Sequence, residues 1–135
     1  CDFGYNHGIF APDEVIRLFP RLEVKWEHKV HERPVCKLPK QKLSGILMHY
    51  TYDSWQQWLD KAGQYTSIWA EDNFSKGKRV GKSAAFTHGI YGFIRAYFLQ
   101  LGFLDGWAGL YSSLQHFFYT LLKYWKLYEL QQKNK

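Results

Sequence analysis

Apolar positions come in short runs and alternations between residues 15 and 50, and fall at helical spacing from residue 55 onward. "VIRLF" (15–19) is a brief β-prone run halted by Pro20. "LEVKW" (22–26) alternates apolar and charged residues, the period of a half-buried strand. "KVHER" (29–33) continues in extended style until Pro34, whose ring disfavours helix at Arg33. After the basic loop "CKLPKQK" (36–42) comes another apolar run, "LSGILMHY" (43–50). The pattern predicts three or four short strands within 15–50.

A helical stripe then runs through Trp55, Trp58, Leu59, Ala62, Thr66, Trp69, Ala70 and Phe74. Ser54 and Gln57 have capping-box spacing at its start, and Gly77 suits the position just past its end. A basic loop, "SKGKRVGK" (75–82), leads to a second helix over about 84–101. Its apolar positions are Phe86, Ile90, Phe93, Ile94, Tyr97, Phe98 and Leu101, with Gly89 and Gly92 weakening the middle. "GFLDG" (102–106) interrupts, with Asp105 expected to cap a third helix from about Trp107 to Gln131 and Gly106 to ease the turn. The expected class is α/β: short strands followed by three amphipathic helices.

Charge divides the chain unevenly. Of the net +6, residues 1–75 hold 9 Lys or Arg against 10 Asp or Glu, which leaves −1. Residues 76–135 hold 9 Lys or Arg against only Asp105 and Glu129, which leaves +7. The same chain carries 6 Trp, 10 Tyr and 10 Phe, so the basic helices are also rich in rings. Such a segment reads as a surface for phosphates, of a membrane or of nucleic acid. The longest stretch free of Asp, Glu, Lys and Arg, 106–122, includes two serines, a glutamine and a histidine. It falls short of the roughly 20 apolar residues a span needs. Helices lying in the membrane interface fit better, and helices covering a soluble core are the plainer alternative. Two cysteines without a C-x-x-C pair make neither a disulfide framework nor a zinc site, and fit a reducing compartment. Cys1 opens the chain without a methionine or signal peptide, as expected for a piece of something longer.

Candidate chemistry gathers at "HKVHER" (28–33). His28 and His31 stand three apart, but a zincin needs both on one face of a helix, and the setting here is extended. Ser44 precedes Gly45 without a G-x-S-x-G elbow, and "GKRVGKS" (77–83) lacks the spacing and the preceding strand of a phosphate-binding loop. Composition and periodicity alone therefore leave a small α/β piece with basic aromatic helices.

The succession of particular residues says more: "RLFPR" (17–21), "VHE" (30–32), "LMHYTY" (47–52), Lys61 with Tyr65 and Thr66, "YFLQLGFLDGWAGL" (97–110) and "KYWKLYE" (123–129). In this order and spacing the chain resembles the C-terminal half of a family 2 glycosyltransferase over about 13–129. The nearest group is the bacterial lipopolysaccharide-core β-glucosyltransferases. The resemblance implies an inverting transferase of GT-A architecture that takes a nucleotide-diphospho-sugar donor, a UDP-sugar by expectation. It implies a lipid-linked glycan acceptor, a divalent metal (Mg²⁺ or Mn²⁺) and peripheral attachment at the cytoplasmic face of the bacterial inner membrane. Residues 1–75 would be the acceptor side of the catalytic domain, and 76–135 a membrane-associating extension. No D-x-D motif occurs, so the donor-binding half is expected outside this chain, which by itself should be inactive.

The resemblance also implies roles for single residues. Glu32 stands where the family places its general base, and His31 where the first acid of that pair often stands. The alternative for Glu32 is a carboxylate paired with Arg17, Arg21 or Arg33. Arg17, and less directly Arg33, would face the diphosphate or an anionic acceptor. His49 would contact the diphosphate or ligate the metal; otherwise it is an ordinary strand-end histidine. The rival from another class is a non-catalytic adaptor that uses the +7 segment to bind membrane or nucleic acid, the latter with a steep salt dependence. The transferase reading expects no nucleic acid.

Overall fold

The computed structural model describes residues 7–10, 16, 18–20, 24–27, 33–35, 38–43 and 53–134. Within the strand region it contains a small antiparallel pair, β1 (Lys25–Glu27) and β2 (Arg33–Val35), in the register Lys25↔Val35, Trp26↔Pro34 and Glu27↔Arg33. β1 falls at the end of the alternating "LEVKW" run. β2 runs through Pro34 rather than stopping there, which a ring without an N–H permits on a strand paired on one side. The run at 44–50 lies outside the described residues.

Helix α1 spans Trp55–Ser75. Ser54 is its N-cap: extended backbone turns the hydroxyl to accept the Gln57 N–H at 3.2 Å. The Gln57 side chain reaches back to accept the Asp53 N–H at 2.8 Å, a capping box displaced by one residue. At the other end Gly77 takes φ +81°, and the N–H groups of Gly77 and Lys78 donate to the carbonyls of Phe74 and Asn73. These two bonds close a Schellman motif, the stop foreseen at Gly77.

Helix α2 spans Ala84–Ile94 and ends in a π-helical turn over Arg95–Leu99, where the Gln100 N–H reaches the Arg95 carbonyl at 2.9 Å. The second predicted helix is therefore not one regular rod. A 3-10 turn (Gly102–Asp105) follows, and α3 runs from Gly106 to Lys133. α3 is the central element, with α1 and α2 both packed against it.

The inward face of α2 differs from the one its apolar spacing suggests. Ala85, Gly89, Gly92 and Ala96 are buried, while Phe86, Ile90, Ile94 and Phe98 lie exposed. The glycines are the reason. A Cβ at Gly89 would stand 3.1 Å from the Phe117 ring, and one at Gly92 would stand 3.1 Å from the His116 ring. The two helices approach closely because α3 places its large side chains against bare α2 backbone. Most of the buried side chains are accordingly small, as at Ala62, Ala70, Ala85, Ala96, Ala108, Thr66, Ser112 and Ser113; Trp58 and Gln131 are the large buried exceptions, and Leu127 is the largest fully enclosed.

The junction before α3 is tighter still. Leu101 adopts φ 58°, a left-handed conformation costing roughly 1–2 kcal/mol for a residue with a Cβ. Gly106, at φ 58° and ψ −131°, occupies a region open in practice to glycine alone, so it eases the turn as expected. Asp105 does not cap α3 as expected: its side chain makes no capping bond. Its two carboxylate oxygens instead face His7, one accepting the backbone N–H and the other 2.8 Å from Nδ1. The Gly8 N–H adds a 2.9 Å bond to the Gln100 carbonyl, so residues 7–10 are seated on the turn between α2 and α3.

Candidate functional site

Of the residues singled out in the sequence, Arg17, His31, Glu32 and His49 lie outside the described residues. Arg33 is described as backbone only, opposite Glu27 in the β pair. The structure neither brings these five together nor holds them apart. Among the described residues no group of three or more His, Cys, Asp or Glu side chains is placed to hold a metal ion.

His7 with Asp105 has the form of an acid–imidazole pair, which invites comparison with hydrolase machinery. Both serines nearest this junction are buried, and the hydroxyls of Ser112 and Ser113 donate to the Gly109 carbonyl at 3.0 and 2.7 Å. Neither is presented as a nucleophile. The pair is an anchor for the segment before β1, since it fixes backbone and ring of one residue on one buried carboxylate.

The described surface with a concentration of chemistry lies where α1, the basic loop and α2 meet α3. Two cations share one indole: Lys78 Nζ is 4.8 Å and Lys123 Nζ 4.5 Å from the centroid of the Trp69 ring. Lys78 also stands 5.1 Å from the Tyr124 ring, and Lys123 5.5 Å from that of Tyr119. Tyr124 bridges the flanking helices, tilted against Trp69 at 5.1 Å and stacked face to face on His88 at 4.0 Å. Burial lowers the Lys123 pKa from its ordinary value, and the neighbouring Lys78 charge lowers it further. Next along α3, His116 is also held below the usual imidazole range, chiefly by burial and then by Lys123 and Arg95. Burial and these two cations together favour its neutral form.

Two clamps fix this surface. Lys126 donates all three ammonium protons into α1, to the Gly63 carbonyl (2.6 Å), Thr66 Oγ1 (2.9 Å) and Ser67 Oγ (2.8 Å). Its charge is spent on joining α1 to α3. Gln131 holds the basic loop, accepting the Val80 N–H at 2.6 Å and donating to the Val80 carbonyl at 2.9 Å. Beside that clamp Arg79 lies 4.3 Å from the Phe74 ring, at a shallow pocket of about 430 Å³ lined also by Lys82, Tyr128 and Gln132. The sequence reading noted the basic charge and the rings, but not that Lys78, Lys123 and Trp69 converge. The signal available was the placement of Lys123 within the aromatic run "FFYTLLKYW".

Around this surface the outer face of the helices is apolar. Trp107 is 83% exposed, and Phe86, Ile90, Tyr91, Phe98 and Leu99 are each more than half exposed. No helix among the described residues is long and apolar enough to cross a membrane.

No protein-family model matches the chain, and no solved structure does. Curated proteins do. An uncharacterized glycosyltransferase of Rickettsia typhi is 33% identical over 93 residues, covering 69% of this chain and 32% of that protein. One of Rickettsia prowazekii is 33% identical over 92 residues, covering 68% and 32%. One of Rickettsia felis is 32% identical over 93 residues, covering 69% and 33%. The chain spans about a third of the length of the curated relatives it matches, and is similar over that third to proteins bearing the name glycosyltransferase.

Proposed function

We propose that the chain is the acceptor-side and membrane-facing portion of an inverting, nucleotide-sugar-dependent glycosyltransferase of family 2 and GT-A architecture. Its product is an extended lipopolysaccharide core or a related envelope glycan, with glucose the proposed sugar. The observation that carries the reading is the similarity over 93 residues to proteins named as glycosyltransferases. The ordered motifs from "RLFPR" to "KYWKLYE" support the finer assignment.

In this reading Glu32 takes the proton of an acceptor hydroxyl as that oxygen attacks the anomeric carbon. The nucleoside diphosphate leaves from the opposite face, which inverts the configuration. His31 stands beside the base, and Arg17, His49 and Arg33 face the negative charge of donor or acceptor. The divalent metal of the reading would offset charge on the diphosphate. Its ligands belong elsewhere in the polypeptide than the described residues. The test is transfer by the complete polypeptide from UDP-sugars to isolated envelope lipids, with UDP release and product anomer as readouts. Release of UDP with an inverted linkage is the expected result. No transfer from any UDP-hexose to any lipid-linked acceptor would overturn the assignment.

Attachment at the cytoplasmic face of the inner membrane belongs to the same proposal. It is supported by large apolar side chains turned outward on α2 beside a basic edge. Burial of such rings is worth about 1.5–3 kcal/mol each and is not screened by salt. Basic groups near anionic lipid add roughly 1 kcal/mol each and fade beyond a Debye length. The full chain should therefore co-sediment with anionic vesicles at low salt and remain partly bound at high salt. Absence from the vesicle pellet at low salt would mean that this face packs on the rest of the polypeptide instead.

A further inference from the structure

We propose that Lys78 and Lys123, together with the rings of Trp69 and Tyr124, form a binding site for a phosphate group. The argument begins with unbalanced charge. Two ammonium groups are brought to one indole ring. Neither forms an ion pair among the described residues, where the ion pairs join His7 to Asp105, Lys76 to Asp72 and Lys133 to Glu129. From residue 76 onward the chain holds only two acids, and Asp105 and Glu129 are occupied by His7 and Lys133. Cation–ring contact offsets only part of the repulsion. An anion accepting from both ammonium groups would offset the rest.

Position favours such a ligand. Lys78 is exposed at its place on the loop while Lys123 is half-buried on α3, so the pair has one accessible member and one partly enclosed. The loop carrying Lys78 is fixed by the Schellman motif at its start and by Gln131 at Val80. One lysine is therefore held ready, and little ordering is required on binding. His88, stacked on Tyr124, and Arg95, acting on His116, extend the basic edge along α2. The lowered Lys123 pKa is consistent with a cation awaiting its counter-charge. Phosphate suits the site better than a carboxylate, since a phosphate monoester carries nearly two negative charges at neutral pH against the two ammonium groups.

The source of the phosphate is either a lipid headgroup or a soluble ester, and two measurements on the full 135-residue chain distinguish them. In the first, the Trp69 indole N–H is followed by NMR during titration with sodium phosphate, against sodium chloride at matched ionic strength. In the second, the chain is sedimented with phosphatidylcholine vesicles with and without phosphatidic acid. Lys78→Gln, at an exposed position, tests the site without disturbing packing; Lys123→Gln and the Lys→Arg variants accompany it. A saturable phosphate shift that chloride does not reproduce, weakened about tenfold or more by either glutamine variant and kept by arginine, is the expected result. If the glutamine variants also lose vesicle binding by a similar factor, the phosphate is that of a headgroup. If vesicle binding is unchanged, it is soluble. The proposal is overturned if neither measurement depends on the two lysines. No sugar donor enters either experiment, so failure here leaves the transferase reading standing, and the reverse holds too.

Discussion

Gly109→Ala is expected to destabilise the chain by about 3 kcal/mol or more, among the larger effects of a single methyl group. A Cβ at this position would overlap the carbonyl oxygen of Gly102, which is backbone and has no rotamer by which to move aside. Gly102 is itself confined, since its own Cβ would stand 2.7 Å from the Ala96 carbonyl oxygen. Gly8, at φ +78°, adjoins the same backbone: a Cβ built there would stand 3.7 Å from Gly102 Cα. Relief at one contact therefore tightens another. For a domain of this size the loss corresponds to a fall in Tm of roughly 10 °C. Gly63→Ala is the control: it lies mid-helix in α1 with nothing within 4 Å of the added carbon, and should raise stability by about 0.5–1 kcal/mol. Thermal melts of the two variants decide the matter. Similar melting would show that the junction yields and that its close packing is not what holds α2 to α3.

On the proposed mechanism, Glu32→Gln in the complete polypeptide is expected to lower transfer by about 10²–10⁴-fold, the usual contribution of a positioned proton acceptor. The amide retains the size of the carboxylate but does not take the acceptor's proton at neutral pH. Donor affinity should change little, because the base of the proposed mechanism acts on the acceptor hydroxyl and not on the nucleotide. Turnover numbers and donor binding, measured side by side, separate these effects. Near-normal turnover would end the assignment of Glu32 as base. Loss of turnover with equal loss of donor binding would make it a donor contact instead.

Local signals made the helices legible. Ser54, Gln57 and Gly77 mark the ends of α1 because capping is decided by residues within one turn. The face that α2 buries was not legible. Hydrophobic spacing picks out Phe86, Ile90 and Ile94, yet α3 packs against Gly89 and Gly92, where close approach outweighs side-chain area. Asp105 was misread for a related reason. Its position predicts a cap, but a partner 98 residues away claims the carboxylate. Lys126 and Gln131 likewise look like ordinary polar residues on a helix until α1 and the basic loop are seen against them. The candidate catalytic residues came from the order of motifs rather than from any physical period. They lie in stretches outside the described residues, so geometry adds nothing to them.

The bond between Gln131 and Val80 carries a consequence for how the protein is made. Loop and clamp are 51 residues apart in sequence. On a ribosome adding about 5–20 residues per second, the basic loop emerges several seconds before the glutamine that will hold it. During that interval Lys78, Arg79 and Lys82 travel on a segment that lacks the Gln131 clamp and has only the local turn ending α1 to hold it. A nascent chain thus presents its positive charge in a looser form than the folded structure does, and acquires the fixed one only with the last turn of α3.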